Sequence, residues 1–379
     1  MIQTIRKAWN IPELRKKIVF TLLILLIYRI GNAIPVPYVD VGALSEYLNS
    51  MKTTVLGLYN VMSGGAFADA TVFALSIQPY INASIIIQLL TVAIPALERM
   101  AREEGEEGRK KIASITRYTT VGIGLIQGFA YYMLMRNQYN ILTNDSIAAA
   151  FVIIVTFVAG SAFIMWLGEQ ITEFGIGNGI SIILFASIIS RIPAGIGTMY
   201  SNREVLGVPG IVGILVGLLA LIVLITHVYN AERRIPVQYA KRQVGRKMYG
   251  GQSTTLPVKV NMSGVLPIIF AQSIAMLPAT IAAFLPAPQE GSFWYGFIQA
   301  IDTKSVLYML AYFLMIIGFS YFYATIQFNP TEIANNLKRN GGFIPGFRPG
   351  KPTADFIAKV LSRITLFGAI YLGIVAIAP

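Results

Sequence analysis

The side chains that could do chemistry in this sequence are few, and their spacing excludes most reactions. His227 is the only histidine and there is no cysteine, so disulfides, thiolate metal sites and a cysteine nucleophile are ruled out. No HExxH motif, aspartate pair or nucleophile–base pair lies in an apolar segment, and intramembrane hydrolysis needs one of these. His227 reads as an interface side chain whose ring snorkels at the cytosolic end of a span, and Arg29 can snorkel near the outer end of the first span. Gly175-Ile176-Gly177-Asn178-Gly179 superficially matches a phosphate loop. It follows no strand and lacks the Walker lysine, so it reads as a helix-entry turn. Glu103, Glu104, Glu106 and Glu107, beside Arg109, Lys110 and Lys111, read as a solvated loop. No catalytic residue, metal ligand or cofactor is assigned, and the chain is read as a non-enzyme.

What remains is the chemistry of polar groups in hydrocarbon. Residues 72–90 have the length and apolar content of a membrane span, which needs roughly 20 mostly apolar residues. Yet they carry Gln78, Pro79, Asn82, Ser84 and Gln88, groups that protein or water must satisfy at membrane depth. The segment before them, Thr54 to Met62, is apolar but too short to cross and ends on Ser63-Gly64-Gly65. A glycine pair frees the backbone to turn. The pattern predicts a re-entrant half-helix folding back into a span, which requires burial in protein or a watery cavity. Ile77, Ile81 and Ile85 recur every fourth residue and share one face. That stripe fits packing against lipid or another helix, and equally a cavity wall.

Composition places the elements in a bilayer. The chain has 379 residues, 55% of them hydrophobic and 13% charged, with mean hydropathy +0.63, which marks an integral membrane protein. Nine apolar windows are legible: about 18–36, 72–94, 112–134, 148–168, 179–195, 209–229, 264–286, 306–328 and 362–379. Basic residues concentrate in the N-terminal lead and in 98–111, 231–259 and 338–363. Nine successive crossings put all four stretches on one side, and the positive-inside rule makes that side, with the N-terminus, cytosolic. No cleavable signal peptide is expected, because the first apolar window is too long for a signal core. No Asp, Glu or Lys lies in the middle of a window, which argues against an ion-coupled carrier. The ninth window runs straight to Pro379, and the reading favours a further segment beyond it.

Two cytosolic stretches, 238–261 and 329–353, are basic, rich in Gly and Pro, and longer than connectors need to be. Taken singly, each suits topogenic charge. Together they suit a docking surface for something large and acidic, either a ribosome through its RNA phosphates or a protein motor.

Several runs make the chain similar to the bacterial SecY family of protein-conducting channels. They are IPELRKKI (11–18), RIGNAIPVP (29–37), NVMSGGAFADATVFALSIQPYINASIIIQLL (60–90), EEGRKKI (106–112), MWLGEQITEFGIGNGISII (165–183), AKRQVGRKMYGGQSTTLPVKVNMSGVLP (240–267) and NPTEIANNLKRNGGFIPGFRPG (329–350). The resemblance implies an all-α polytopic membrane protein with two pseudo-symmetric five-helix halves and a re-entrant plug. Residues 1–200 would hold spans 1–5 with the plug at about 54–70. Residues 201–379 would hold spans 6–9 with basic loops 231–261 and 329–361, the tenth span being absent. The plug implied by the resemblance includes Tyr59, Asn60, Met62, Ser63, Gly64, Gly65 and Phe67. The pore ring falls on Ile77, Ile81, Leu184 and Ile269, where Leu184 replaces the family's isoleucine at nearly equal volume. The lateral gate toward lipid falls on Gln88, Gln127 and Gln272, each of which also suits an ordinary interhelical hydrogen bond. Docking falls on Arg242, Arg246, Lys247 and Arg348. The implied partners are the SecE and SecG membrane subunits, the SecA ATPase, the ribosome with its rRNA, and the nascent or precursor polypeptide. The implied location is the bacterial cytoplasmic membrane. A secondary solute transporter with broken helices is the alternative.

Overall fold

The computed structural model describes residues 9–50, 55–102, 104–137, 141–239, 242–244, 247–249, 253–284 and 305–377. They fall into two compact units. One comprises the described residues of Met1–Ser201 and Leu277–Thr303, the other those of Asn202–Met276 and Lys304–Pro379.

In the first unit, α1 (Pro12–Gly31) starts at a proline, whose missing N–H costs nothing at a helix start. Two short helices follow: α2 (Val41–Ser50), and α3 (Val55–Met62), which is the half-helix expected over 54–62. Asp40 begins α2 by accepting the N–H groups of Gly42 and Ala43 on its carboxylate. Leu44 and Leu48 of α2 are buried in a cluster with Tyr131 and Met135.

The second apolar window is not helical throughout. Residues 63–77 run as turns, and α4 (Gln78–Ala93) begins six residues later than expected. Ser76 lies at φ 51°, and Pro79 occupies the first turn of α4, the one helical site it tolerates. At 1.5 Å per residue α4 is about 24 Å long, short of a bilayer's ~30 Å hydrocarbon core. It then bends by 107° into α5 (Pro95–Arg102).

Helix α6 (Gly105–Arg136) corrects the solvated-loop reading of the glutamate cluster, because Glu106 and Glu107 occupy its first turn. Carboxylates there meet the positive end of the helix dipole. Lys111 bridges Glu104 at 3.1 Å and Glu107 at 3.3 Å, and its hydrogen bonds to those two carboxylates hold the ammonium pKa above its ordinary value. Helix α7 (Ile147–Phe174) is capped by Ser146, which accepts the Ala149 N–H. The glycine-rich run is the helix-entry turn it was expected to be, with Asn178 capping α8 (Gly179–Ile189) through the Ser181 N–H. Helix α9 (Ile192–Ser201) follows.

The second unit opens with α10 (Arg203–Asn230), an apolar helix kinked at Gly207. The first of the long basic stretches that read as loops forms strands, and the second forms a helix and a two-residue strand that joins them. Strands β1 (Glu232–Tyr239) and β4 (Ser253–Lys259) pair antiparallel from Glu232↔Lys259 to Gln238↔Ser253. Between them β2 (Arg242–Val244) pairs with β3 (Lys247–Tyr249). Helices α11 (Leu266–Phe284), α12 (Val306–Gln327) and α13 (Pro330–Arg339) lead to β5 (Gly342–Phe343), which joins the other edge of β1. The sheet order is therefore β4-β1-β5, and α14 (Lys351–Ile377) completes the unit. Alternate β1 residues Ile235 and Val237 face a cluster with Val258, Leu337, Ile344, Ile357 and Leu361, the period-2 burial expected of a sheet covered on one side.

Among the described residues, five helical segments are long and apolar enough to cross a membrane: Ile147–Phe174, Gly179–Ser201, Gly207–Asn230, Val306–Arg339 and Lys351–Ile377. The bent pair α4–α5 makes a sixth where the two helices are counted as one broken span. The chain is a multi-pass membrane protein.

Candidate functional site

The site is built around the turn that follows α3. Gly64 sits at φ 69° and Gly65 at φ 97°, where a side chain would be strained. Their N–H groups return to the carbonyls of Val61 (3.0 Å) and Asn60 (2.9 Å) and so close the end of the half-helix. Polar side chains then fold the chain back on itself. Ser63 Oγ donates to the Asn60 carbonyl and accepts the Phe67 N–H, while Asn60 Oδ1 accepts the Ala68 N–H at 3.0 Å. Gln78 Nε2 donates to Met62 Sδ at 3.4 Å.

Phe67 plugs this turn into the helix bundle. Its ring stacks on Tyr131 at 4.2 Å between centroids and meets Tyr59 at 4.9 Å. Tyr131 in turn packs against Phe157 at 5.1 Å. The Tyr131 hydroxyl donates to the Phe67 carbonyl, and the Tyr59 hydroxyl donates to the Leu75 carbonyl at 2.9 Å. Downstream, Val36 N–H reaches Ala70 O (2.9 Å) and Val72 N–H reaches Ile34 O (3.0 Å), which stitches the segment to the chain leaving α1. Ser63, Ala66, Phe67, Ala68, Ala70, Thr71 and the run Phe73–Ile77 are all buried. Irregular backbone is thus sealed inside protein, the condition for its survival at membrane depth.

The structure places the remaining expected residues as follows. Ile77 is the N-cap of α4 with no exposed surface, and Ile81 and Ile85 are also buried. Leu184 on α8 and Ile269 on α11 are partly exposed. The Gln88 carbonyl accepts the Thr91 hydroxyl, Gln272 is buried on α11, and Gln127 Oε1 is buried without a partner among the described residues. Arg242 and Lys247 stand on β2 and β3, while Arg246 lies outside the described residues. Arg348 is exposed in a formed loop between Gly346 (φ 88°) and Gly350 (φ 105°), its carbonyl accepting the Thr353 hydroxyl at 2.8 Å.

Sequence reasoning missed three features. Tyr131 was hidden in an apolar window. So was Tyr28, whose hydroxyl lies 2.7 Å from Ser187 Oγ and whose ring stacks on Phe73. The third is an ion pair, Arg117 Nε to Glu169 Oε1 at 2.8 Å, beside a cavity of about 450 Å³ lined by Tyr80, Trp166, Glu173, Asn178 and Ile180 as well. Its signal was available, because Arg117 is an arginine inside an apolar window.

These features define a polytopic helical membrane protein whose bundle encloses a re-entrant, glycine-hinged segment. The sequence profile of the SecY family matches residues 71–379. The chain is 44% identical over 393 residues to the protein translocase subunit SecY of Streptomyces scabiei, covering 100% of this chain and 89% of that protein. Its fold matches a SecY structure described by its plug domain, which stabilises the closed state of the translocation channel and maintains a membrane seal. That match has TM-score 0.66 and 18% identity over 96% of this chain and 85% of the other. It also matches Sec61 in the canine ribosome–channel complex from the endoplasmic reticulum, with TM-score 0.61 and 17% identity over 95% and 84% of the two chains. The chain belongs to the SecY family.

Proposed function

We propose that this chain is the central subunit of a protein-conducting channel in the bacterial cytoplasmic membrane, with its N-terminus in the cytosol. It passes unfolded secretory polypeptides across the membrane and releases apolar segments sideways into lipid. The observation that carries the reading is the glycine-hinged segment 63–77, packed into the bundle by Phe67 and three tyrosines, in a chain 44% identical end to end to a translocase subunit. The segment about 58–70 is read as the plug.

The mechanism follows from the side chains. An aliphatic constriction at Ile77, Ile81, Leu184 and Ile269 excludes ions by dewetting. A threading polypeptide displaces the plug, and the flexible aliphatic groups close round it. A nascent apolar helix leaves through a gate bearing Gln88, Gln127 and Gln272 because lipid is the better solvent, by roughly −0.3 to −0.6 kcal/mol per Leu, Ile, Phe or Val. The chain is read as two halves, residues 1–200 with spans 1–5 and residues 201–379 with spans 6–9.

The chain supplies no chemical energy of its own on this reading. The driving force comes from SecA or from a translating ribosome docked on the basic sheet and the Arg348 loop, and SecE and SecG complete the membrane complex. The ribosome-bound state of the Sec61 neighbour supports a ribosome as a partner. The test is reconstitution with the small subunits in proteoliposomes. ATP-dependent uptake of a precursor protein by SecA is expected. Uptake of a small solute with no precursor transport would replace the reading with a solute carrier.

A further inference from the structure

The Gly64–Gly65 turn rests on the outer end of α8, and the two glycines meet it in different ways. A Cβ at Gly64 would lie 2.9 Å from the Ser187 carbonyl oxygen and 3.0 Å from Ser190 Oγ. That surface cannot retreat. Ser187 Oγ donates to the Ile183 carbonyl (2.8 Å), which leaves it to accept from the Tyr28 hydroxyl at 2.7 Å. The Ser187 carbonyl accepts the Ser190 hydroxyl at 2.6 Å. The result is a rigid shelf of backbone and short side chains tied to two helices.

At Gly65 the neighbour is a flexible arm. A Cβ there would lie 2.8 Å from Arg191 Cζ and 2.9 Å from its Nη2. The guanidinium therefore occupies the space that a side chain at Gly65 would take, and glycine is the residue that admits it. Its plane is weakly hydrated and suited to stacking on flat groups, unlike the compact, strongly hydrated lysine ammonium. Because the guanidinium ends a long side chain, it can leave by a rotamer change while α8 stays in place.

We propose that Arg191 is a positioning residue for the plug, a retaining arm that folds over Gly65 and holds the turn on the Ser187–Ser190 shelf in the resting channel. The proposal rests on reading 58–70 as the plug. Entry of a polypeptide would require the arm to swing aside before the turn lifts off, so the arm sets how readily the channel opens.

The experiment measures ion conductance of the complete reconstituted complex in planar bilayers, for Arg191→Ala, Arg191→Lys and deletion of 58–65, singly and combined. Arg191→Ala is expected to raise resting conductance severalfold and to admit precursors with defective signal sequences. Arg191→Lys should resemble the alanine variant more than the parent. In the deletion background Arg191→Ala should add nothing, an epistasis that general destabilisation would not produce. Should the alanine variant fail to assemble, Arg191→Gln keeps length and polarity and is expected to leak as well. Parental conductance in the arginine variants beside a leaky deletion overturns the arm, as does an additive effect in the deletion background. A deletion that does not leak overturns the plug reading instead.

Discussion

Tyr131, in the last two turns of α6, holds Phe67 twice: its hydroxyl donates to the Phe67 backbone carbonyl, and its ring stacks on the Phe67 ring at 4.2 Å. A residue in a long helix thereby fixes both the main chain and the side chain of a turn 64 positions upstream. The two contacts are separable. Tyr131→Phe removes the hydrogen bond and keeps the stack; the Phe67 carbonyl still accepts the Ala70 N–H at 3.3 Å, so the cost should be about 0.5–1.5 kcal/mol. Tyr131→Ala removes both and should cost about 3–5 kcal/mol. Thermal unfolding of the purified complex checks the order. Equal losses would mean the ring contributes nothing beyond its hydroxyl.

Phe67 itself is buried between Tyr59 and Tyr131. Phe67→Ala is expected to leave membrane integration intact, because α4 and the chain bridge between Pro35 and Thr71 do not depend on that ring. It should loosen 63–70, read as faster backbone amide exchange confined to that stretch. Exchange that quickens throughout the first unit would make the segment a structural strut rather than a separable closure.

How much of this was legible beforehand depended on whether the signal was local. The half-helix, the glycine turn and the cap at Asn178 are local, and each was readable from residue type. The start of α4 was readable in part, since Pro79 marked it, but the apolar run Val72–Ile77 masked the break. Composition does not distinguish a buried turn from a buried helix when both exclude water. The sheet was lost for a different reason. Strand β1 spends its alternation on only Ile235 and Val237, and its second partner, β5, lies in a distant stretch of chain, so the Gly- and Pro-rich flanks dominated the reading. Tyr131 and Arg191 act through contacts that no spacing rule connects.

Ile81 is buried on the same face of α4 as Ile85. Ile81→Asn would put an amide into the proposed apolar constriction, which favours water there. Ion leak through the resting complex should rise, and rejection of poor signal sequences should weaken. Conductance equal to that of the parent would remove Ile81 from the ring.

Arg117 and Glu169 pair at 2.8 Å with side chains 53% and 26% exposed. Solvent screening at that exposure limits the pair to about 1 kcal/mol, so Glu169→Gln is expected to lower stability by no more than that. A double-mutant cycle with Arg117→Gln measures the coupling directly. A coupling of several kcal/mol would show that the pair is far less hydrated than its exposure indicates.

The basic loop around Arg348 separates docking from topology. The Phe347 ring packs tilted against Phe356 at 4.2 Å, its N–H returns to the Ile344 carbonyl at 3.0 Å, and Pro349 and Gly350 complete the bend into α14. The loop is thus shaped by its own contacts, and the exposed Arg348 guanidinium is presented from a fixed backbone. A planar fork in a fixed place suits a carboxylate or phosphate partner, whereas Lys338, exposed in the last turn of α13, offers charge without that geometry. Arg348→Glu leaves Lys338, Arg339, Lys351, Lys359 and Arg363 in the same stretch, so the positive-inside signal should still fix the orientation. Precursor translocation is expected to fall sharply while expression and orientation stay normal, because on the proposed reading the lost contact is with the driving partner and not with the pore. Lys338→Glu should do much less. Equal defects from the two reversals, measured in the same SecA-driven assay, would reduce the loop to bulk topogenic charge.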